Sequence, residues 1–272
     1  MTASSQGKLR RLVVADLEGA LQLSTHAGWN QTLDDWRMLF ELAPDGCLAI
    51  EVEGELAATT TLLCYGSCLA WVGMVLTKEK FQGRGFARRL LSEVLKLADE
   101  KKIETVKLDA TDQGKPLYEK SGFRSEQPVE RWVRTGIGHE IRSPNVSATK
   151  WHEADCAALG ADRSELLKKL AERNAPWIAE KSFLLGRSGT KTGYLGPCVG
   201  DAPHSVRLLI ERFVQSTKAA ISWDLLSQNQ DAVAIAKDFG FAPQRHLTRM
   251  VRGKDLRGEE SSVYALAGFE FG

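Results

Sequence analysis

The stretch from Leu69 to Ala98 constrains the fold most. A strand-like run over residues 69–76 passes through a loop with two glycines, Gln82-Gly83-Arg84-Gly85, straight into a helix. That helix carries Leu90, Leu91, Val94, Leu95 and Ala98 on one face. Upstream, residues 47–53 alternate apolar and charged, and residues 56–65 are rich in Thr and Leu. Gly54 and Gly66-Ser67 mark the turns, so the three runs predict an antiparallel meander. Two helices, over residues 16–26 and 32–42, are predicted before it, behind an apolar run at Leu12-Val13-Val14. After it come a strand at Val106-Lys107-Leu108-Asp109, a short helix over 115–120 closed by Gly122, and a strand over 123–133. Antiparallel strands followed by strand–helix–strand units make a mixed α/β plan.

The chain has 272 residues, enough for one or two domains. The pattern lapses at Gly136, Gly138, Arg142, Ser143 and Pro144, which reads as a linker. Two domains are therefore expected, over 1–138 and 146–272. The second repeats the themes of the first: helices over 154–159 and 162–173, strands near Phe183 and Tyr194, and a helix over 205–215. A strand over 219–223, a helix over 229–239 and a strand over 247–251 follow. Ile221-Ser222-Trp223-Asp224, then Asn229 and Gly240-Phe241, echo Val106-Lys107-Leu108-Asp109 and Gly122-Phe123. Counting back from each Gly-Phe pair, Ala236 stands where the first half has Tyr118.

Lys and Arg number 36 against 35 Asp and Glu, a net charge of +1, which argues against a dedicated nucleic-acid or membrane-surface binder. The five cysteines are odd in number and scattered, which favours free thiols in a reducing cytosol. Cys64 and Cys68 stand at ligand spacing without a His or Cys pair to complete a set, so no metal is expected. The N-terminal residues lack an apolar signal core, and no stretch approaches the ~20 apolar residues of a membrane span. The expectation is a soluble cytoplasmic protein.

Chemistry is expected at the glycine loop. Backbone N–H groups at a strand–loop–helix junction point outward unpaired, and the helix dipole adds positive potential. Glycines let a ligand approach the backbone, so the junction reads as a phosphate cradle. Arg84, Arg88 and Arg89 sit on its rim, where they and Lys78 and Lys80 are equally readable as a solvated face. A P-loop is absent, and a dinucleotide fingerprint fails because Arg88 stands at its third glycine. Gln82-Gly83-Arg84-Gly85-Phe86-Ala87 instead resembles the [RQ]-x-x-G-x-[GA] pyrophosphate signature of the GNAT acyltransferases. Pro116-Leu117-Tyr118-Glu119-Lys120-Ser121-Gly122-Phe123 is similar to that family's second landmark, and it follows in the right order. Gly28-Trp29-Asn30-Gln31-Thr32, Gly73-Met74-Val75-Leu76 and the segment Leu247-Thr248-Arg249-Met250 resemble a bacterial two-domain subgroup with a YitH-like C-terminal domain.

The resemblance implies two tandem GNAT-like domains, each a mixed, mostly antiparallel sheet with a splayed parallel pair. It implies acetyl-CoA as co-substrate. Backbone groups of Val75, Leu76 and Thr77 would pair with the pantetheine arm, and those from Gln82 and Gly83 through Arg84, Gly85, Phe86 and Ala87 to Arg88 would hold the pyrophosphate. Tyr118 would protonate the leaving thiolate; as a residue by itself it reads more often as a half-buried core tyrosine. The implied reaction is direct acetyl transfer to a primary amine, of a small molecule, with room for a homodimer. No general base is assigned; Glu51, Glu53, Asp109 and Asp112 are the carboxylates within range. The second half lacks the signature at Cys198-Val199-Gly200-Asp201-Ala202-Pro203, so the CoA site belongs to the first. A non-catalytic acyl-CoA-binding regulatory or interaction protein is the alternative.

Overall fold

The structure, a computed structural model, describes residues 7–138 and 151–272. It divides into two compact units, Met1–Lys107 and Leu108–Gly272. The expected linker runs in part over residues 139–145, which lie outside the described residues.

In the first unit, strands β1 (Lys8–Arg11), β2 (Leu48–Val52), β3 (Glu55–Tyr65) and β4 (Leu69–Thr77) pair antiparallel in that order, and β5 (Thr105–Ala110), whose residues from Leu108 on belong to the second unit, joins β4 in parallel through Lys107. Helices α1 (Leu17–His26), α2 (Leu33–Leu42) and α3 (Phe86–Glu100) complete it. The first strand ends before the apolar run at residues 12–14, whose Val13 and Val14 are exposed. There Asp16 accepts the Val13 amide at 2.8 Å and a two-pronged Arg10 guanidinium at 2.6 and 2.8 Å, and these bonds turn the chain into α1. Helix α2 starts where Thr32 and Asp35 cap each other's backbone amides, and Trp36 and Leu39 bury its inner face. Helix α3 buries the five predicted apolar positions together with Phe86, packing on β2, β3 and β4.

In the second unit, α4 (Lys115–Glu119) precedes β6 (Arg124–Arg134). Then come α5 (His152–Leu159), α6 (Ser164–Arg173), β7 (Trp177–Ala179), β8 (Ser182–Arg187), β9 (Gly193–Val199) and α7 (Pro203–Ser216). The chain ends with β10 (Ile221–Leu226), α8 (Gln230–Asp238), β11 (Ala242–Gly253) and β12 (Val263–Ala265). The strand order is β11-β6-β10-β9-β8-β7, with β12 added to β9. Leu209, Ile210 and Phe213 of α7 pack with Trp223 and Leu225 of β10 and Ala232 and Ala236 of α8 to form its core.

Strand β6, which the sequence reading placed in the first domain, is paired antiparallel with β10 on one side and β11 on the other. Residues 136–138 continue this pairing: the Ile137 amide donates to Lys218 at 2.6 Å and the Ala220 amide to Gly138 at 3.0 Å. A Cβ at Gly136 would overlap the backbone of Ala219, so the close approach requires glycine there. The Gly-Phe echo is structural too. The Phe123 amide donates to the Tyr118 carbonyl at 3.1 Å and the Phe241 amide to that of Ala236 at 2.9 Å, so α4 and α8 close alike.

Candidate active site

Strands β4 and β5 pair over three residues only, Leu69 with Thr105 through Trp71 with Lys107. Among the described residues no strand lies beside Val72–Thr77 on that side, so within Val75, Leu76 and Thr77 the backbone groups that alternate away from β3 are on an edge without a partner strand, while Leu76 faces Thr59 of β3. Against β3, β4 carries an extra residue: Thr59 faces Leu76 while Thr61 faces Gly73. Met74 lies in this bulge with φ of 50°, a conformation that side-chain-bearing residues seldom adopt. The Thr59 hydroxyl donates to the Met74 carbonyl at 2.9 Å and that of Thr60 to Gly73 at 3.3 Å, holding the carbonyls that the bulge displaces. Sequence reasoning missed Met74, Thr59 and Thr60. The signal was there: three consecutive threonines, all buried, in a strand otherwise apolar on both sides.

From Thr77 the chain passes through residues 78–85 into α3. Gly83 and Gly85 hold φ of 75° and 80°, and nothing lies within 4 Å of a Cβ built on either. The left-handed turn, rather than crowding, requires glycine, and it leaves open space over the backbone. Gly85 caps α3 with no side-chain hydrogen bond, and no acidic residue stands in the first turn. The amides of Phe86, Ala87 and Arg88 therefore face outward uncapped, whereas α2 and α8 are capped by Thr32 and Asn229. Gln82 donates back to the Thr77 carbonyl at 3.3 Å, tying loop to strand.

The basic rim divides. Lys78 and Lys80 both pair with Glu55, and Arg89 donates to the Gly7 carbonyl at 2.8 Å. Arg84 stacks over the rings of Phe81 and Phe86, 5.3 and 5.0 Å from their centroids. Arg88 is exposed in the first turn of the helix. An edge strand, a left-handed glycine loop and a bare helix N-terminus in succession fit an extended amide-bearing chain that ends in a pyrophosphate.

Tyr118, in α4 of the second unit, is 8 % exposed and packs edge-on against Phe123 at 6.0 Å. Burial pushes its phenol up to about 12, so it is held as the neutral proton-bearing form. Of the four carboxylates that the sequence offered as bases, Asp109 is wholly buried in a two-pronged ion pair with Arg249, at 2.9 and 3.0 Å. Both of its oxygens are thereby engaged. Glu51 pairs with Arg10 at 2.8 Å, while Glu53 at a hairpin tip and Asp112 in a turn are exposed.

Residues 34–140 match one acetyltransferase (GNAT) domain family and residues 152–265 match a second, also described as an acetyltransferase (GNAT) domain. The uncharacterized N-acetyltransferase YitH of Bacillus subtilis (strain 168) is 23 % identical, over 95 % of this chain and 96 % of its own length. Holothin acyltransferase of Pseudoalteromonas sp. (strain SANK 73390) is 25 % identical, over 90 % of this chain and 87 % of its own. Among solved structures, an acetyltransferase from Pyrococcus horikoshii superposes with a TM-score of 0.86 at 23 % identity, covering 98 % of this chain and 96 % of that one. A GCN5-related N-acetyltransferase from Sphaerobacter thermophilus gives 0.65 at 14 % identity, over 95 % of this chain and 98 % of its own. With a matching domain in each half and the same mixed sheet, the chain belongs to the GNAT acetyltransferases as a tandem-domain transferase.

Proposed function

We propose that this transferase takes acetyl-CoA and moves its acetyl group directly to the primary amine of a small molecule. The observation that carries the reading is the run from the free edge of β4 through two left-handed glycines to the uncapped start of α3. Val75, Leu76 and Thr77 bind the amide-bearing arm by strand addition, and the amides of residues 83–88 take the pyrophosphate. As repeats, the two GNAT domains span 1–138 and 146–272, with this site in the first.

Bound acyl-CoA supplies an acyl group activated as a thioester. The protein's own part is to align that carbonyl with an amine and to manage two protons. Tyr118, kept protonated by burial, donates to the departing sulfur. The amine, with a free pKa near ~10.4, loses its proton before attack. With Asp109 and Glu51 engaged by arginines, a water relay to solvent serves for that step. The Pseudoalteromonas relative is named for a single acceptor, holothin, which supports a dedicated small-molecule acceptor over a general one.

Calorimetric titration with acetyl-CoA, followed by a thiol-release screen over amines, polyamines, amino acids and aminoglycosides, tests the reading. Binding with acceptor-dependent thiol release supports it. Binding without release from any acceptor makes the chain an acyl-CoA-binding regulator instead.

A further inference from the structure

The second half contains the same open strand pair as the first. Strands β9 and β10 run parallel and pair over three residues only, Gly193 with Ile221 through Leu195 with Trp223. Past that point β9 carries an extra residue against β8, where Leu184 faces Cys198 and Gly186 faces Leu195. A bulge therefore follows the paired stretch here as it does in β4.

This gap is filled. Strand β12 pairs antiparallel with β9, Val263 against Val199 and Ala265 against Cys198, and the Gly200 amide donates to the Ser262 carbonyl at 3.0 Å. On the other flank the Leu266 amide donates to the Asp224 carbonyl of β10 at 2.8 Å, and the Trp223 indole to the Tyr264 carbonyl at 2.8 Å. Asn229, at the head of α8, donates to the carbonyls of Ser261 and Val263 at 3.1 and 2.9 Å while its own oxygen caps the helix. The segment reaches both diverging strands and is buried from Tyr264 to Ala267. The approach is so close that a Cβ at Gly196 would overlap the Leu266 carbonyl.

The phosphate end is missing as well. Residues 200–202 are all that separate β9 from α7, against residues 78–85 before α3. Asp201 puts a negative charge on that short loop, and Pro203 at the first helical position removes an amide.

We propose that the second half's cleft is a strand-accepting site whose resident ligand is the chain's own residues 262–266. They occupy the place corresponding to the one the first half leaves for the amide-bearing arm of acyl-CoA. The second half then binds no acyl-CoA, and its cleft takes extended peptide backbone. The identity of what the segment replaces rests on the acyl-CoA reading of the first half; the occupancy itself does not.

Amide hydrogen exchange on the full chain, with and without saturating coenzyme A, separates the two. The Gly200 and Leu266 amides are expected to exchange ~10³-fold or more slowly than in an unstructured peptide, a protection reserved for core hydrogen bonds. Adding coenzyme A should leave them unchanged while slowing those amides of Val75–Thr77 that face away from β3. Unprotected Gly200 and Leu266, their acceleration by coenzyme A, or two coenzyme A molecules bound per chain would overturn the proposal. Protection at Gly200 and Leu266 with no response at Val75–Thr77 upholds it and instead removes the acyl-CoA assignment from the first half.

Discussion

The pairs β4/β5 and β9/β10 are built alike, each parallel over three residues and each with an extra residue just beyond. They differ in the connection from strand to helix. After β4 come a long loop with two left-handed glycines and a helix start with neither cap nor acid; after β9 come a short acidic loop and a proline. The difference teaches that a splayed strand pair is only an invitation to an extended ligand. On the function proposed above, the neighbouring loop decides whether that ligand is a cofactor carrying phosphates or a piece of the chain itself. The units also differ in their charges. Arg131–Asp224, Arg163–Asp155, Arg187–Glu270 and Arg249–Asp109 are ion pairs buried in the second, while those described in the first are partly or largely exposed.

That last contrast yields the largest expected effect. Asp224→Ala strands the Arg131 guanidinium, bound on both prongs at 2.6 Å, inside the sheet. Removing one partner of such a pair costs about 3–5 kcal/mol, readable as a lower urea midpoint. Glu55→Gln, which touches the half-exposed Lys78 and Lys80, should leave that midpoint close to the parent's. Equal losses would erase the contrast.

Next comes the loop. Gly85→Glu forces a side chain into a left-handed turn and aims a carboxylate at the uncapped amides, so acetyl-CoA affinity should fall ~10²–10³-fold. Ala202→Glu puts the same charge before α7 and should change affinity little. Titration calorimetry on both variants reads the comparison directly, and a loss with Ala202→Glu would place acyl-CoA in the second half too.

Tyr118 and Ala236 hold equivalent places at the ends of α4 and α8, yet only Tyr118 has a proton to give. Tyr118→Phe keeps the packing on Phe123 and should lower kcat by ~10²-fold, the low end for a positioned acid, with acetyl-CoA affinity unchanged. An unchanged kcat in an assay limited by chemistry would make it a core tyrosine.

The smallest effects concern pH. Because burial raises the phenol to about 12, Tyr118 stays protonated through the working range, and kcat should show no falling limb from it below pH ~11. Its contribution to stability is whole below its free value of 10 and drains away as pH rises from there toward about 12. Tyr118→Phe should flatten that part of the alkaline melting curve.

Much of this was legible in the residues. Helix α3, its buried face, the glycine loop and the Gly-Phe helix ends all follow from short-range chemistry: apolar spacing, glycine's left-handed freedom and the absence of a capping side chain. The bulge at Met74 was not, because an extra residue shows only against the partner strand, although Thr59 and Thr60 hinted at it.

By itself, then, the sequence determined most of the longer strands and helices and where a glycine loop opens a helix, since these depend on residues a few positions apart; the short strands β1, β7 and β12 were not read from it. Only the tertiary structure decided that β6 lies between β10 and β11, that Arg131 finds Asp224 and Arg249 finds Asp109, and that β12 enters the second strand pair. Those choices join positions far apart in the chain, as Arg131 and Asp224 are at a separation of 93 residues. No local pattern encodes them. They follow from the requirement that every buried amide, carbonyl and charge find a partner, which only the folded chain can meet.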